Sequence, residues 1–268
     1  MTDALGRLRA AVADIGPMVV AFSGGADSAL VAWVAHDVLG PDARAVTAVS
    51  PSLPAAELAD CEALAAEWGL AWEPVATHEL DDPAYVANDG DRCYWCKAAL
   101  LDAVGPRARA LGATVVLGVN LDDLGDHRPG QRAAAEAGAR FPLVEAGLAK
   151  DDVRTVSRDL GLRTADKPAA ACLASRLPYG TTVTLGALAE VEAAEAALRA
   201  LGFDELRVRH YRDLARIEVP LGRLADVLAR RDEVVAGVQE AGYRYVTLDL
   251  EGLRSGNLNR ALGDLSAT

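Results

Sequence analysis

Short apolar runs alternate with longer mixed segments through the first two thirds of the chain. Four runs rich in β-branched residues predict buried strands at 18–22, 43–49, 71–76 and 114–119. Segments with an apolar stripe predict helices at 3–15, 28–34, 54–68, 93–111 and 150–160. Strands and helices that alternate at this spacing predict an α/β fold with a doubly wound parallel sheet. Loops after the strands at 18–22, 43–49 and 114–119 are then expected to face one crevice.

The pattern changes near residue 180. A helix with apolar residues on one face begins at Thr184. Strands at 205–211 and 214–219, a mostly helical stretch at 221–241 and a strand at 244–250 follow it. We therefore predict two domains, 1–178 and 179–268, of which the second is a smaller α+β domain.

Composition narrows the class of protein. The chain has 268 residues, of which 51% are hydrophobic and 25% charged, which is enough apolar residue to form a core. The apolar runs are too short for a membrane span, and the start of the chain has no signal-peptide pattern, so a cytoplasmic location without membrane contact is expected. The net charge of −12 disfavours broad nucleic-acid binding. Four cysteines are too few for a disulfide framework.

The turn Ser23-Gly24-Gly25-Ala26-Asp27-Ser28 follows the first strand directly and leads into a helix. Free N–H groups at a helix start, the helix dipole and two glycines favour a bound phosphate. Neither the Walker pattern nor Gly-x-Gly-x-x-Gly matches this turn. The alternative is an ordinary strand–helix turn that needs only small residues.

Cys93 and Cys96 are three positions apart at a predicted helix start, a spacing that fits a metal, a cluster or a redox pair. Together with Cys172 they would supply three thiolates, the set for a [4Fe–4S] cluster with one open iron. The alternative is a set of half-buried structural thiols. Cys61 lies in an Ala/Leu-rich helix and is expected to be a core residue.

The loop 118–130 leaves a strand and carries Asp122, Asp123 and Asp126. Carboxylates here could hold Mg²⁺ against ATP phosphates, with Gly118 and Asp123 beside the nucleotide. An acidic solvated loop is an equal alternative. His127 by itself is an unremarkable surface or capping residue.

Arg207 and Arg209 fall on the same face of a predicted strand, because side chains alternate with period two. Two adjacent guanidinium groups suit a phosphate or a dicarboxylate. Arg216 and Glu218 share a face of the next strand and could equally form a surface ion pair.

These motifs together carry a family resemblance. The turn 23–28 resembles the loop of the PP-loop ATP pyrophosphatases. The box at 92–97, the loop at 120–130 and the segment 167–180 extend the resemblance to the LarE family over nearly the whole chain. These enzymes are ATP-dependent sulfur transferases that mature the nickel-pincer nucleotide of lactate racemase. Ala26 stands where valine is commoner in the family, which is a small apolar change.

The resemblance implies a reaction. ATP adenylates a carboxylate of pyridinium-3,5-biscarboxylic acid mononucleotide and releases pyrophosphate, and sulfur then displaces AMP to give a thiocarboxylate. One branch of the family sacrifices the sulfur of the cysteine at position 172. The other branch holds a [4Fe–4S] cluster on three cysteines, which Cys93, Cys96 and Cys172 match.

The resemblance also assigns roles in the second domain. Glu195, Glu218 and Asp226 correspond to residues of a divalent-cation site, and Arg207 and Arg254 to residues that grip the substrate phosphate. It further implies a homo-oligomer built through the smaller domain.

Three other functions compete with this one. A PP-loop tRNA thiolase is disfavoured by the charge of −12 and by the lack of a basic, aromatic-rich face. An ammonia-dependent adenylating synthetase would need neither cysteine motif. A non-enzymatic nucleotide-binding domain would release no pyrophosphate.

Overall fold

The computed structural model describes residues 3–125, 129–168 and 171–254. The strands are β1 (Met18–Ala21), β2 (Ala43–Val49), β3 (Trp72–Ala76), β4 (Thr114–Leu117), β5 (Arg207–Tyr211), β6 (Leu214–Glu218) and β7 (Tyr245–Leu248). The helices are α1 (Asp3–Ile15), α2 (Ala26–Leu39), α3 (Ala55–Trp68), α4 (Pro83–Val86), α5 (Arg92–Ala110), α6 (Pro129–Glu136), α7 (Pro142–Glu145), α8 (Lys150–Asp159), α9 (Leu185–Ala200), α10 (Leu224–Ala229) and α11 (Arg231–Glu240).

The described chain divides into two compact units. Residues 3–79 and 93–168 form the first, and residues 80–92 and 171–254 form the second. The predicted boundary at 178 therefore lies a few residues after the observed division. The second unit also takes in the segment 80–92, because Asn88 donates hydrogen bonds to the carbonyls of Pro178 (2.8 Å) and Thr181 (2.9 Å). These contacts join residues some ninety positions apart, and no local pattern predicts them.

The first unit contains a parallel four-stranded sheet in the order β3-β2-β1-β4. All four strands were predicted, and the predicted α/β class with a parallel sheet is confirmed. On one face α1, α2 and α3 pack against the sheet through fully buried residues such as Leu8, Leu30 and Leu64. On the other face α5 covers Val19 and Val46 with Val104. Burial on both faces explains why the inner strand β1 is a continuous apolar run.

The second unit contains the three-stranded sheet β5-β6-β7. Strands β5 and β6 are antiparallel, and β7 joins β6 in parallel after the crossover through α10 and α11. Helix α9 packs on this sheet with Leu198 against Phe203 and Val208. The predicted order of helix, two strands, helix and strand is confirmed.

Three short helices were not predicted: α4, α6 and α7. Each begins at a proline, which is favourable at the first position of a helix, but four to eight residues give too little periodicity to predict one. Among the described residues, none of the helices combines the length and the apolar character that crossing a membrane requires.

Candidate active site

The turn after β1 is fixed by its own serines. Gly24 has a φ of +66°, which the absence of a side chain permits, and α2 begins two residues later. The backbone N–H of Ser23 donates to Ser28 Oγ at 3.1 Å, and the two hydroxyl oxygens are 3.0 Å apart. Among the described residues no side chain caps the start of α2 at Gly25. The first N–H groups of α2 are therefore not used by a side-chain cap, as an anion site requires.

The loop after β4 meets this turn. A Cβ atom at Gly118 would lie 2.6 Å from the backbone nitrogen of Ser28 and 2.7 Å from the carbonyl carbon of Asp27. Asn120 then donates from Nδ2 to Asp27 Oδ1 at 3.0 Å. Two of the three loops that were expected to face one crevice do meet. In the third loop, the backbone N–H groups of Ser52 and Leu53 donate to Ser50.

The described aspartates of the loop after β4 accept hydrogen bonds from backbone N–H groups, one within the loop and one at the start of α8. Asp123 accepts from the N–H of Asn120 at 3.1 Å, and Asp122 accepts from the N–H of Lys150 at 2.8 Å. Asp126 and His127 lie outside the described residues. The role of Asp123 beside ATP and Mg²⁺ remains a prediction.

Sequence reasoning missed two lysines at the turn. Lys150, the first residue of α8, places Nζ 2.5 Å from Asp27 Oδ2. Lys167 places Nζ 3.6 Å from the point that a Cβ of Gly24 would occupy. Both come from far along the chain, so no spacing rule connects them with residues 23–28.

The paired cysteines lie at the start of α5. Cys93 is exposed and Cys96 half-buried, and none of the four cysteines, all of which are described, forms a disulfide. Burial lowers the pKa of Lys97, while the neighbouring Cys96 and Cys93 thiols act to raise it. Gly130 lets α6 approach this helix, since a Cβ there would lie 3.1 Å from the carbonyl oxygen of Cys93. Cys61 is fully buried in the core and burial raises its pKa, in agreement with the core role predicted for it.

In the second unit, Cys172 precedes a short 3-10 helix, Leu173–Arg176. Its carbonyl oxygen accepts from Ser175 Oγ at 2.7 Å and from Arg176 Nη1 at 3.2 Å. Arg176 also donates to the carbonyl of Ala171 at 2.6 Å. The cysteine backbone is therefore fixed by its own motif.

A buried network of arginines and glutamates supports this motif. Arg176 grips Glu195 through two hydrogen bonds of 2.8 and 3.1 Å. Arg209 grips Glu218 in the same way at 3.0 and 2.8 Å, and donates to the carbonyl of Ser175 at 2.8 Å. Both glutamates have no exposed surface.

Arg199 and Arg216 complete the network at its edge, each with one hydrogen bond to a glutamate. The alternative of a surface pair for Arg216 and Glu218 is wrong, because Glu218 is fully buried.

These partners bear on the predicted cation site. The oxygens of Glu195 and Glu218 accept from guanidinium groups, and Asp226 pairs with Arg223 at 2.7 Å. The residues as placed do not fit a cation held by these three carboxylates. Within the described chain, no three His, Cys, Asp or Glu side chains are gathered to hold a metal ion. The cation site and the [4Fe–4S] cluster on Cys93, Cys96 and Cys172 both remain predictions.

Arg207 has a different environment. It is half-buried, and among the described residues no carboxylate lies within ion-pair distance of it. Its Nη1 donates to the carbonyl of Arg254 at 3.4 Å. Burial and the neighbouring Arg209 and Arg176 lower the pKa of Arg207. Burial is the largest of these causes, and the nearby carboxylates Glu218 and Glu195 act in the opposite direction.

A parallel sheet whose first strand ends in this serine–glycine turn is the fold of the PP-loop ATP pyrophosphatases. No family model matches the chain. It is 49% identical over 261 residues to an uncharacterized protein of Synechocystis sp., covering 96% of this chain and 97% of the relative. It is 43% identical over 257 residues to the pyridinium-3,5-bisthiocarboxylic acid mononucleotide synthase of Lactiplantibacillus plantarum, covering 95% and 93%.

A third relative, an uncharacterized protein of Methanocaldococcus jannaschii, is 25% identical over 239 residues, covering 89% of this chain and 91% of the relative. The likeness to the synthase extends through both units. The chain therefore belongs to the LarE family, the family of that synthase.

Proposed function

We propose that this protein uses ATP to adenylate a carboxylate of pyridinium-3,5-biscarboxylic acid mononucleotide, and then replaces the activated oxygen with sulfur. The observation that carries the proposal is the 43% identity to a named synthase over 95% of the chain. The turn 23–28, where no side chain of the described residues caps α2, supports the nucleotide step. The substrate is a small-molecule nucleotide.

The first step needs an activated leaving group. A carboxylate oxygen of the substrate attacks the α-phosphorus of ATP, the bond to the β-phosphate oxygen breaks, and pyrophosphate leaves. We assign the pyrophosphate to the turn Ser23–Ser28. Asp27 is oriented by Asn120 and Lys150, so its carboxylate faces the turn in a fixed position. Mg²⁺ bound with the nucleotide would neutralise phosphate charge.

The second step forms the carbon–sulfur bond. A sulfur nucleophile attacks the acyl carbon, and the bond from that carbon to the AMP oxygen breaks. We assign Arg207 to the substrate phosphate, because it is half-buried and has no ion-pair partner among the described carboxylates. We assign Arg209 a structural role beside Arg207, since the guanidinium group of Arg209 already donates to Glu218. Arg254 is assigned to the same phosphate on family resemblance alone.

Two sulfur sources fit the residues. Cys93, Cys96 and Cys172 form no disulfide and lie at exposed or half-exposed positions, and three thiolates are a donor set that fits a [4Fe–4S] cluster. Such a cluster would supply a bound sulfide as the nucleophile. In the other route the Cys172 sulfur bonds to the acyl carbon, a base removes the Cα proton of Cys172, its Cβ–S bond breaks, and dehydroalanine remains while the sulfur leaves with the thiocarboxylate.

Anaerobic purification tests the sulfur source. Iron and sulfide are counted, and the intact mass is measured before and after turnover with ATP and the dicarboxylate nucleotide. Iron with an unchanged mass supports the cluster route. A colourless protein that has lost the elements of H₂S supports the sacrificed cysteine.

The reaction itself is tested by the product mass, in which sulfur replaces oxygen, and by pyrophosphate release. The Cys172→Ser variant is expected to form no thiocarboxylate by either route. A Cys172→Ser variant that still converts the acid to an amide with ammonia would support the synthetase instead. Light scattering measures the homo-oligomer, which we propose on family resemblance.

A further inference from the structure

Lysine is rare in this chain, and every lysine lies beside one of the candidate functional motifs. Of 27 basic residues only three are lysines, Lys97, Lys150 and Lys167, and the other 24 are arginines. Lys97 follows the paired cysteines, and the other two lie at the turn 23–28. Arginine evidently serves at the remaining basic positions. Lysine is a compact charge with three rotatable donors, a property that arginine does not share.

Lys150 and Lys167 differ in how many hydrogen-bond donors of the ammonium group remain for a ligand. Lys150 forms an ion pair with Asp27 and so helps to fix the conformation of the turn 23–28. Lys167 is held from the side by two carboxylates of α3, at 2.8 Å from Glu57 Oε2 and 2.7 Å from Asp60 Oδ2. An ammonium group has three donors, and the third finds no acceptor among the described residues.

The cluster keeps Lys167 charged. Burial opposes its charge, but the hydrogen bonds to Asp60 and Glu57 outweigh burial and raise its pKa above the ordinary value. Arg163 binds the other oxygen of Asp60 at 2.7 Å and also pairs with Glu67 at 3.0 Å. The ammonium group is therefore positive at neutral pH and close to Gly24 before any anion arrives.

We propose that Lys167 is a phosphate-binding residue of the turn 23–28, with Glu57 and Asp60 as the residues that position it. The ligand is the pyrophosphate moiety of a nucleoside triphosphate. This inference rests on the proposed function, because it takes ATP as the ligand of the turn. The Walker loop carries its lysine within its own sequence, whereas this chain would supply the same charge from Lys167.

Binding of three probes tests the proposal: ATP, inorganic pyrophosphate and AMP. Lys167→Met keeps the apolar stem and removes the charge. We expect it to weaken ATP and pyrophosphate about tenfold or more, the effect of one charge-assisted hydrogen bond, and to leave AMP within about twofold. Arg158→Met is the matched control, since it removes the exposed charge that pairs with Asp166 beside Lys167 in sequence, and all three affinities should stay within about twofold.

Chemical labelling of the unmodified chain gives a second, variant-free measurement. An amine-reactive reagent and peptide mapping report the three lysines separately. Pyrophosphate should slow the labelling of Lys167 severalfold, and AMP should not.

Unchanged pyrophosphate affinity in a folded Lys167→Met variant would overturn the proposal, as would labelling of Lys167 that pyrophosphate does not slow. If the unmodified chain binds neither ATP nor pyrophosphate, the proposed function fails together with this inference. Binding by the unmodified chain with no effect of Lys167 refutes this inference alone.

Discussion

Two glycines at the candidate site are required for different physical reasons. Gly24 needs its positive φ of +66°, a conformation that other residues adopt only with strain. Gly118 has no such φ, but it lies where β4 leads into a loop that passes directly over the first turn of α2. The two glycines therefore bring the nucleotide turn and the loop after β4 into contact.

Gly118→Ala should disrupt this contact. The added Cβ would come within 3 Å of backbone atoms of Asp27 and Ser28, and backbone cannot move aside as a flexible side chain does. We expect a loss of about 1–3 kcal/mol in the free energy of unfolding, as for overpacked sites, together with weaker ATP binding. Urea unfolding and ATP titration measure the two effects.

Gly6→Ala is the control for that substitution. Gly6 lies within α1, and a Cβ there meets nothing within 4 Å. It should stabilise the chain by about 0.5–1 kcal/mol through helix propensity and leave ATP binding unchanged. Equal effects of the two substitutions would refute the close approach at Gly118.

The sequence is a good guide to residues that act within one motif and a poor one to residues that meet through the fold. Ser23 and Gly118 follow the ends of predicted strands, and Ser28 belongs to the same short motif as Ser23, so the sequence pattern found them. Lys167 reaches Gly24 from more than a hundred positions away, and only the packing of α3 brings them together. The rarity of lysine was the signal in the sequence that could have indicated it.

At the scale of elements, the 3-10 helix after Cys172 depends on α9 and β5 for its position. Glu195 of α9 accepts from Arg176, from Arg199 and from the N–H of Val208 in β5. One buried carboxylate thereby connects a helix, a strand and the cysteine segment. Hydrophobic periodicity does not reveal this, because a glutamate on the apolar face of a helix is an exception to the pattern.

Arg176→Met should therefore cost more than a surface ion pair. It leaves Glu195 buried with part of its charge uncompensated, and we expect a loss of about 3 kcal/mol in the free energy of unfolding. The Cys172 carbonyl also loses a donor, so alkylation of this thiol under native conditions should become faster. Urea unfolding and peptide mapping after iodoacetamide treatment measure both effects.

Two further variants separate charge from packing. Arg176→Met combined with Glu195→Gln should recover part of the stability, because the stranded charge is gone. Arg231→Met removes the exposed pair with Asp232 and should leave stability and Cys172 alkylation unchanged. If the double variant recovers no stability, the loss of stability in Arg176→Met comes from packing and not from the buried charge of Glu195.

For the whole molecule, the described residues divide into two compact units, and one segment belongs to a unit that its position in the sequence does not indicate. Residues 80–92 separate β3 from the rest of α5 in sequence, yet they belong to the second unit through Asn88. A boundary drawn at a single position assigns them to the first unit. Domain prediction from composition shifts fails where a unit is built from two separate pieces of chain.

The net charge of the whole chain predicts that this protein, unlike a tRNA thiolase, does not bind tRNA. A chain of net charge −12 repels a polyanion, and its buried arginines Arg176 and Arg209 are neutralised by glutamates. Filter binding at physiological salt should therefore retain no tRNA, and tRNA should not stimulate pyrophosphate release from ATP. The dicarboxylate nucleotide should stimulate it, since the single phosphate that we assign to Arg207 needs no extended basic surface. Release that depends on tRNA would assign the sulfur transfer to nucleic acid.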